Sequence, residues 1–352
     1  MSVRALVLSG GGAKGAYEAG VITSLWQIQP FDIVVGTSIG AINASLTAQH
    51  DIAALKTMWS TIAGRNVIQP QPTVKHVEEF LQAFSDWQSL PTVAKVSHTP
   101  GLVLLWMKIG SKTALFSLLG AFNEAPIEAL LKQFANYNNL RSTLIVSATD
   151  ITKRTATAFY AFVGRTASNV VTFRTAAKLE TQALSQLNYV EVLEASAAIP
   201  AVFTPIQMNL GAPPPKFFVD GGVANNTPIS LAVAAGADDI TVVFLDPLSN
   251  DAPSPPPRNL IDIAFACYDV MQQKILEDDF NLASLTNVAL DNHAAAPRAV
   301  QERLAGKRQV ALRYVRPGKA LPVSVLDFSD QSKLNAAFAQ GLADGQHPQA
   351  FE

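Results

Sequence analysis

Short apolar runs alternate with amphipathic stretches along the first 50 residues. Residues 3–8 (VRALVL) and 32–36 (DIVVG) are apolar runs of strand length, and a glycine-containing turn follows each of them. Residues 13–28 carry apolar positions at helical spacing, and residues 39–48 predict a buried helix of small side chains. Strand, turn and helix, repeated twice, predict the opening of a parallel α/β sheet.

The same alternation continues to residue 246, where a proline-rich segment interrupts it. Further strands are predicted at 143–150, 155–162, 216–220 and 240–246, and further helices at 51–63, 73–84, 189–198 and 228–237. Residues 251–259 (DAPSPPPRN) predict an extended linker. Beyond the linker we expect helices near 260–280, 297–306 and 331–343 and a strand at 309–315. We therefore expect one domain, made of residues 1–250 and a C-terminal extension, 251–352, packed on the same domain.

The amino-acid composition limits the classes of function that the chain can have. Of the 352 residues, 49% are hydrophobic and only 15% are charged, against roughly 25% charged in a typical globular domain. The fold is therefore rich in core or exposes apolar surface to a partner such as lipid. A net charge of −2 gives no general attraction to nucleic acid. The single cysteine, Cys267, excludes an internal disulfide, fits a reducing compartment and is expected in a helix core.

Two segments bear on membrane contact. Residues 101–120 are the most membrane-like stretch, but Lys108, Ser111 and Lys112 interrupt it, which argues against a spanning helix. Residues 101–122 fit either an interfacial lid or an ordinary buried helix pair. The basic stretch 298–319 could attract anionic headgroups, although a solvated basic face is the commoner case. The N-terminal apolar run is too short for a secretory signal, so we expect a cytoplasmic protein with an option of peripheral membrane contact.

A glycine turn directly follows the first predicted strand. It reads Gly10-Gly11-Gly12-Ala13-Lys14-Gly15 and opens a helix. Glycines let main-chain N–H groups approach a negatively charged atom, and a helix N-terminus favours that charge. The ligand could be a phosphate or an oxyanion. The turn also matches the GxGxxG dinucleotide pattern, which is weak evidence alone.

A second glycine turn follows the second strand and contains a serine. It reads Gly36-Thr37-Ser38-Ile39-Gly40, which is the GxSxG pattern of a nucleophile elbow. The flanking glycines relieve crowding in a sharp turn, and the serine hydroxyl then stands at a helix N-terminus. The strand–turn–helix context makes Ser38 a candidate nucleophile.

A candidate base ends the strand KFFVD. Asp220 is followed by Gly221 and Gly222. Chemistry in open α/β sheets gathers at the carboxyl ends of strands, so Ser38 and Asp220 can meet although they are far apart in sequence. An aspartate that only caps a turn is the alternative interpretation.

Four blocks together resemble the patatin-like phospholipase family. They are LSGGGAKGAYEAGV, VVGTSIGAINA, EASAAIPAVFTP and FVDGGVANNTPI, and they span residues 8–229. The resemblance implies a three-layer α/β/α fold with a central, mostly parallel sheet. It also implies calcium-independent hydrolysis of acyl esters by a Ser–Asp dyad, with an oxyanion hole in the glycine turn.

The resemblance assigns roles residue by residue. Ser38 is the expected nucleophile and Asp220 the expected base. Main-chain N–H groups of Gly11 and Gly12 are the expected oxyanion donors, with Gly10 as a third candidate. The positions that support these motifs are Lys14, Gly15, Gly36, Gly40, Gly221 and Gly222. The expected substrate is a phospholipid or another acyl-ester lipid, and neither a metal nor a cofactor is expected.

Three alternatives remain open on the sequence alone. A Ser–His–Asp triad could recruit His293 or His347, although none of the five histidines lies in a motif. A dinucleotide-dependent oxidoreductase would need an acidic residue at the end of the second strand, where the chain has Gly36, Thr37 and Ser38 instead. A non-catalytic lipid-binding protein of the same fold would not need both dyad residues.

Overall fold

A computed structural model describes most of the chain outside residues 71–121 and 249–259. The described residues are 2–70, 82–83, 86, 98, 122–164, 167–200, 202–211, 213–226, 228–248, 260–292, 294 and 297–350. The predicted helix at 73–84 (apart from 82–83), the 101–122 segment (apart from 122) and the 251–259 linker lie outside them.

We number the elements in chain order. The strands are β1 (Arg4–Leu8), β2 (Ile33–Thr37), β3 (Gln69–Pro70), β4 (Phe122–Asn123), β5 (Thr143–Asp150), β6 (Thr155–Ala161), β7 (Glu180–Ala183), β8 (Ile206–Met208), β9 (Lys216–Asp220), β10 (Asp239–Val243), β11 (Ala311–Val315) and β12 (Gln349–Ala350). The helices are α1 (Gly15–Trp26), α2 (Ile39–Ala48), α3 (Ile52–Thr61), α4 (Ala125–Phe134), α5 (Ala167–Ala176), α6 (Tyr189–Ala197), α7 (Ile229–Ala234), α8 (Leu260–Asp291), α9 (Arg298–Leu304) and α10 (Gln331–Asp344).

The main sheet is mixed, with a parallel centre. Its strand order is β12-β11-β10-β1-β2-β5-β6-β7, and β9 and β8 extend it from the edge of β5. The five strands from β11 to β5 are parallel, whereas β6 and β9 run antiparallel to β5. Parallel strands with helices on both faces must be apolar on both faces, and β1 and β2 are buried along nearly their whole length.

Two apolar layers flank the sheet. Leu6 and Leu8 of β1 point into the layer that holds α1, α2, α3, α6 and α10. Ala5 and Val7, the alternate residues of the strand, point into the layer that holds α5, α7 and α8. The predicted three-layer α/β/α fold with a mostly parallel sheet is confirmed.

Strands β2 and β9 lie end to end along one edge of β5. The register pairs Thr37 of β2 with Ser147 of β5, and Asp220 of β9 with Ala148, the next residue of β5. The other edge of β5 is taken by β6 over the same residues. Since β2 is parallel to β5 and β9 is antiparallel to it, the carboxyl ends of β2 and β9 point at each other.

Residues beyond the linker join the same sheet and the same helical layer. β11 pairs with β10 in parallel, and α10 packs closely on α1. A Cβ at Gly341 would lie 1.9 Å from the carbonyl oxygen of Tyr17, so the two helix backbones touch. β11 and α10 therefore contact elements of the first 250 residues.

The long helix after the linker differs from its prediction. α8 continues to Asp291 rather than residue 280. Its inward face carries Gln272, Leu276 and Phe280 at a four-residue spacing, and all three are buried. Cys267 lies off that face and is exposed, so the expectation that it belongs to the core was wrong. Within the described residues, no helix combines the length and apolar character that crossing a membrane requires.

Candidate active site

Ser38 forms the turn between β2 and α2. Its backbone has φ 56° and ψ −129°, an uncommon conformation for a residue with a side chain. The Ser38 N–H donates to Ser196 Oγ at 3.0 Å, and Ser196 Oγ donates to the carbonyl oxygen of Ser147 at 2.7 Å. Neighbouring contacts therefore hold the strained turn in place.

Glycine is required on both sides of Ser38, because other backbone atoms lie too close for a side chain. A Cβ at Gly36 would lie 2.3 Å from the carbonyl oxygen of Gly40, and one at Gly40 would lie 2.6 Å from that of Ser9. No larger residue fits at either position unless the backbone moves. The turn therefore packs directly against the end of β1, where the glycine turn begins.

Asp220 meets Ser38 where the two strand ends converge. Ser38 Oγ donates to Asp220 Oδ2 at 2.5 Å, across 182 residues of sequence. The N–H of Gly222 donates to the other carboxylate oxygen, Oδ1, at 2.8 Å. Burial raises the pKa of Asp220 to about 6, although the hydrogen bond from Ser38 works against that rise. The pKa of Asp220 is therefore closer to neutral pH than that of an exposed aspartate, and its carboxylate is the stronger base.

The glycine turn presents two main-chain donors beside the pair. The contacts of the described residues leave the N–H groups of Gly11 and Gly12 without an acceptor. Gly10, the third expected donor, is different, because its N–H donates to Asn226 Oδ1 at 2.8 Å. Gly12 has φ +56°, and a Cβ there would lie 2.0 Å from the carbonyl oxygen of Val325.

Lys14 anchors the glycine turn. Its ammonium group lies 2.8 Å from Asp246 Oδ1 and 3.0 Å from Asp269 Oδ1. Burial lowers the pKa of Lys14, but attraction to the two carboxylates outweighs that effect and the pKa is raised. Through these two ion pairs, Lys14 links the glycine turn to the segment that follows β10 and to α8.

Two polar residues of the site were missed as contacts from the sequence. Ser196 and Asn226 both lie in the quoted family blocks, but the resemblance assigns neither of them a role. Asn226 is buried and joins two elements, since its Nδ2 donates to the carbonyl oxygen of Gln272 at 3.1 Å. A polar residue within a block of otherwise small, apolar residues is the sequence feature that could have identified each of them as part of the site.

An apolar cleft opens beside Ser38. Its empty space, including the part open to solvent, is about 530 Å³, and among the described residues that line it only Ser38 has a polar side chain. Helices from one face of the sheet and a C-terminal segment supply the walls, which include Ile42, Met58, Ile62, Leu130, Phe203 and Phe328.

Among the described residues, no histidine contacts the Ser38–Asp220 pair and no metal site is formed. His347 is exposed, and His50 bonds to Ser142 rather than to Ser38 or Asp220. His293 lies outside the described residues. No group of three or more His, Cys, Asp or Glu side chains in the described part of the chain is arranged to hold a metal ion.

Similarity to known proteins agrees with the sequence blocks. The chain matches the model of a family described as patatin-like phospholipase over residues 6–233. Over 62 residues it is 45% identical to "Lysophospholipase nte1" of Aspergillus terreus (strain NIH 2624 / FGSC A1156), a match that covers 17% of this chain and only 4% of that protein. The crystal structure of VipD from Legionella pneumophila aligns with 100% of this chain and 68% of that chain, at 17% identity and a TM-score of 0.42. Since the family model covers well over half of the sequence, the chain belongs to the patatin-like phospholipase family.

Proposed function

We propose that the protein is a serine lipid acyl hydrolase that cleaves carboxylic esters, of the phospholipase A or lysophospholipase type, through an acyl-enzyme. The observation that carries the proposal is the 2.5 Å contact between Ser38 Oγ and the fully buried Asp220 carboxylate. A serine hydroxyl is a weak nucleophile unless a base takes its proton, and the contact supplies that base. Membership of the family supports hydrolysis of a lipid ester.

Acylation begins with attack on the ester carbonyl. Ser38 Oγ forms a bond to the carbonyl carbon while its proton passes to Asp220 Oδ2. Negative charge collects on the former carbonyl oxygen, and the unoccupied N–H groups of Gly11 and Gly12 are suited to receive it. The tetrahedral intermediate then collapses, the ester C–O bond breaks, and the leaving alcohol takes the proton from Asp220.

Deacylation repeats the sequence with water. Asp220 accepts a proton from a water molecule as that water attacks the acyl carbon. The bond to Ser38 Oγ breaks, the proton returns to Ser38, and a free carboxylic acid is released. Both halves need an ionised Asp220, which ties the reaction to a pKa near 6.

The apolar cleft supports an acyl chain as the group carried on Ser38. Its walls offer hydrocarbon contacts and almost no hydrogen-bonding groups. Each buried methylene contributes roughly 0.8 kcal/mol of transfer free energy, so a long chain gains binding there and a charged or sugar-like group does not. A phospholipid, a lysophospholipid or another acyl-ester lipid fits this chemistry.

The test compares lipid profiles. A lipid extract is incubated with the wild type, with Ser38→Ala and with Ser45→Ala, which removes a buried serine hydroxyl from the same helix. We expect the wild type and Ser45→Ala to release fatty acid and Ser38→Ala to release none, with free acids measured by mass spectrometry. Fatty-acid release by folded Ser38→Ala would refute the proposal. Lipid retention by the wild type without any release would favour a non-catalytic lipid-binding protein instead.

A further inference from the structure

Among the described residues, three buried polar atoms of α8 beside the Ser38–Asp220 pair have no hydrogen-bond partner of normal geometry. They are Tyr268 Oη and both side-chain polar atoms of Gln272, Nε2 and Oε1. Gln272 is only 4% exposed. Buried polar groups are normally paired, and each unpaired one has a cost, so three from one helix at one place point to a shared role. α8 lies outside residues 6–233, the range that the family model matches.

Tyr268 faces the base. Its hydroxyl makes no hydrogen bond of normal geometry, but it interacts electrostatically with the Asp220 carboxylate and, with Ser38 and Gly222, lowers the pKa of that group. Burial, and then the Asp220 charge, raises the pKa of Tyr268 well above its ordinary value. The hydroxyl therefore keeps its proton and can act only as a neutral donor or acceptor. Each oxygen of Asp220 has a lone pair beyond the one used by Ser38 or Gly222, so a third donor has a place.

Gln272 supports Tyr268 from one helical turn further on. Residues four apart on a helix lie on the same face, and the Gln272 carboxamide interacts with the Tyr268 hydroxyl. The same carboxamide fills the space over two motif glycines. A Cβ at Gly222 would lie 2.2 Å from Gln272 Nε2, and one at Gly10 would lie 2.7 Å from Gln272 Oε1.

Other charges near Tyr268 are already balanced. Asp269, the next residue of α8, is the other carboxylate that acts on the hydroxyl. Its charge is paired with Lys14 of the glycine turn, which also pairs with Asp246 beyond the end of β10. The Asp220 carboxylate accepts hydrogen bonds from Ser38 and Gly222, and the Tyr268 hydroxyl is the further group that acts on it. A titration seen at the base is therefore expected to report on Asp220.

We propose that Tyr268 is a positioning residue for the base, whose hydroxyl donates to the Asp220 carboxylate while the Gln272 carboxamide holds that hydroxyl in place. This inference rests on the proposed function. A fully buried carboxylate tends to hold its proton and then cannot act as a base. The donor from α8 keeps Asp220 ionised and fixes the oxygen that faces Ser38. The helix beyond the family match thus supplies a third member to the Ser–Asp pair.

The test is the pH dependence of covalent labelling by a fluorophosphonate, which needs no knowledge of the natural lipid. The full-length wild type, Tyr268→Phe, Gln272→Met and Tyr189→Phe are compared, each checked for folding by circular dichroism. Tyr189 is a matched control, because among the described residues its buried hydroxyl also has no hydrogen bond of normal geometry and it interacts with Ser45 and Tyr137 rather than with Asp220. For Tyr268→Phe we expect the midpoint of the acid limb to rise by about one pH unit, the equivalent of one hydrogen bond to a charged group. Gln272→Met is expected to shift in the same direction by less, and Tyr189→Phe to keep the wild-type midpoint.

Each result has a distinct meaning. A wild-type midpoint in folded Tyr268→Phe would overturn the inference. If that variant does not fold, an unshifted midpoint in folded Gln272→Met would overturn it equally. Ser38→Ala separates this from the proposed function. Labelling of Ser38→Ala at the wild-type rate would refute the dyad itself, whereas loss of labelling there with no shift in Tyr268→Phe would refute only the role of Tyr268.

Discussion

Ser38 and Asp220 touch because strands β2 and β9 run toward each other along the same edge of β5. Thr37 and Asp220 pair with Ser147 and Ala148, which are consecutive residues of β5. The distance between the hydroxyl and the carboxylate is therefore set by one backbone step of a buried strand. Such a scaffold is stiffer than two loops would be, and the strained backbone of Ser38 depends on it.

The first prediction concerns Ser196, which accepts the hydrogen bond of the Ser38 N–H. Ser196→Ala leaves that buried N–H without a partner, which costs about 1–3 kcal/mol. We expect a lower free energy of unfolding by that amount and slower labelling of Ser38. Urea unfolding and labelling rates check both. Ser45→Ala is the control, since Ser45 is equally buried but its hydroxyl makes no hydrogen bond of normal geometry with the described residues and does not contact Ser38. Equal effects of the two substitutions would count against the role of Ser196.

The second prediction concerns Gly12 in the glycine turn. Gly12→Ala forces a side chain into a left-handed backbone, at a cost of about 1–2 kcal/mol, before its clash with Val325 is counted. We expect reduced stability and loss of most esterase activity, because the turn must move. Gly64→Ala is the control, since no atom lies within 4 Å of a Cβ there. Unchanged activity in Gly12→Ala would argue against the turn as the oxyanion site.

The third prediction concerns Ile42, which lines the apolar cleft one helical turn after Ser38. Ile42→Phe narrows the cleft, so we expect kcat/KM for a long-chain nitrophenyl ester to fall about tenfold more than for the acetate ester. Ile28→Phe, at a position 67% exposed, should change neither. An equal fall in kcat/KM for the two esters would show that the acyl chain does not bind in this cleft.

The fourth prediction concerns Glu18, which is buried in α1 and receives a hydrogen bond from Asn43. Burial raises the pKa of Glu18 to about 8. Between its unfolded pKa, near ~4.3, and that value, the folded state holds a proton that the unfolded state has lost. The free energy of unfolding therefore falls as pH rises through this window, by roughly 3 kcal/mol at pH 7.

Glu18→Gln removes this titration and keeps an oxygen for Asn43. We expect urea unfolding between pH 4 and pH 8 to show a flatter profile than the wild type. Glu302→Gln, on the exposed face of α9, should retain the wild-type slope. A wild-type slope in Glu18→Gln would show that Glu18 ionises normally in the fold.

The sequence was most informative where local pattern decides structure. The strands at 143–150 and 216–220 and the helix at 39–48 agree with prediction to the residue, because the sequence pattern of each is local. The direction of β9 could not be read from its sequence, since strand orientation is a tertiary property. α4 and α5 were missed. In α4 the residues Ile127, Leu130 and Leu131 have helical spacing and pack on the core, so that helix could have been predicted, whereas in α5 Val171 is 63% exposed.

The residues of the candidate site could likewise be predicted only where a local motif contains them. Motifs identified Ser38 and Asp220, and the structure brings them together. The occupied N–H of Gly10 could not be predicted, because its partner Asn226 is 216 residues away. Tyr268 and Gln272 lie in no motif, and only the packing of α8 brings them beside the base. The basic stretch 298–319 is partly neutralised, because Arg308 and Arg313 pair with Asp238 and Asp239.

The most direct test of the account maps the fluorophosphonate adduct by mass spectrometry on intact protein and its peptides. We expect the wild type to carry one adduct on the peptide that contains Ser38, and Ser38→Ala to carry none. Asp220→Asn should be labelled at least about 100-fold more slowly, as expected for loss of a general base. An adduct on a different residue, or labelling of Asp220→Asn at the wild-type rate, would contradict the Ser38–Asp220 dyad.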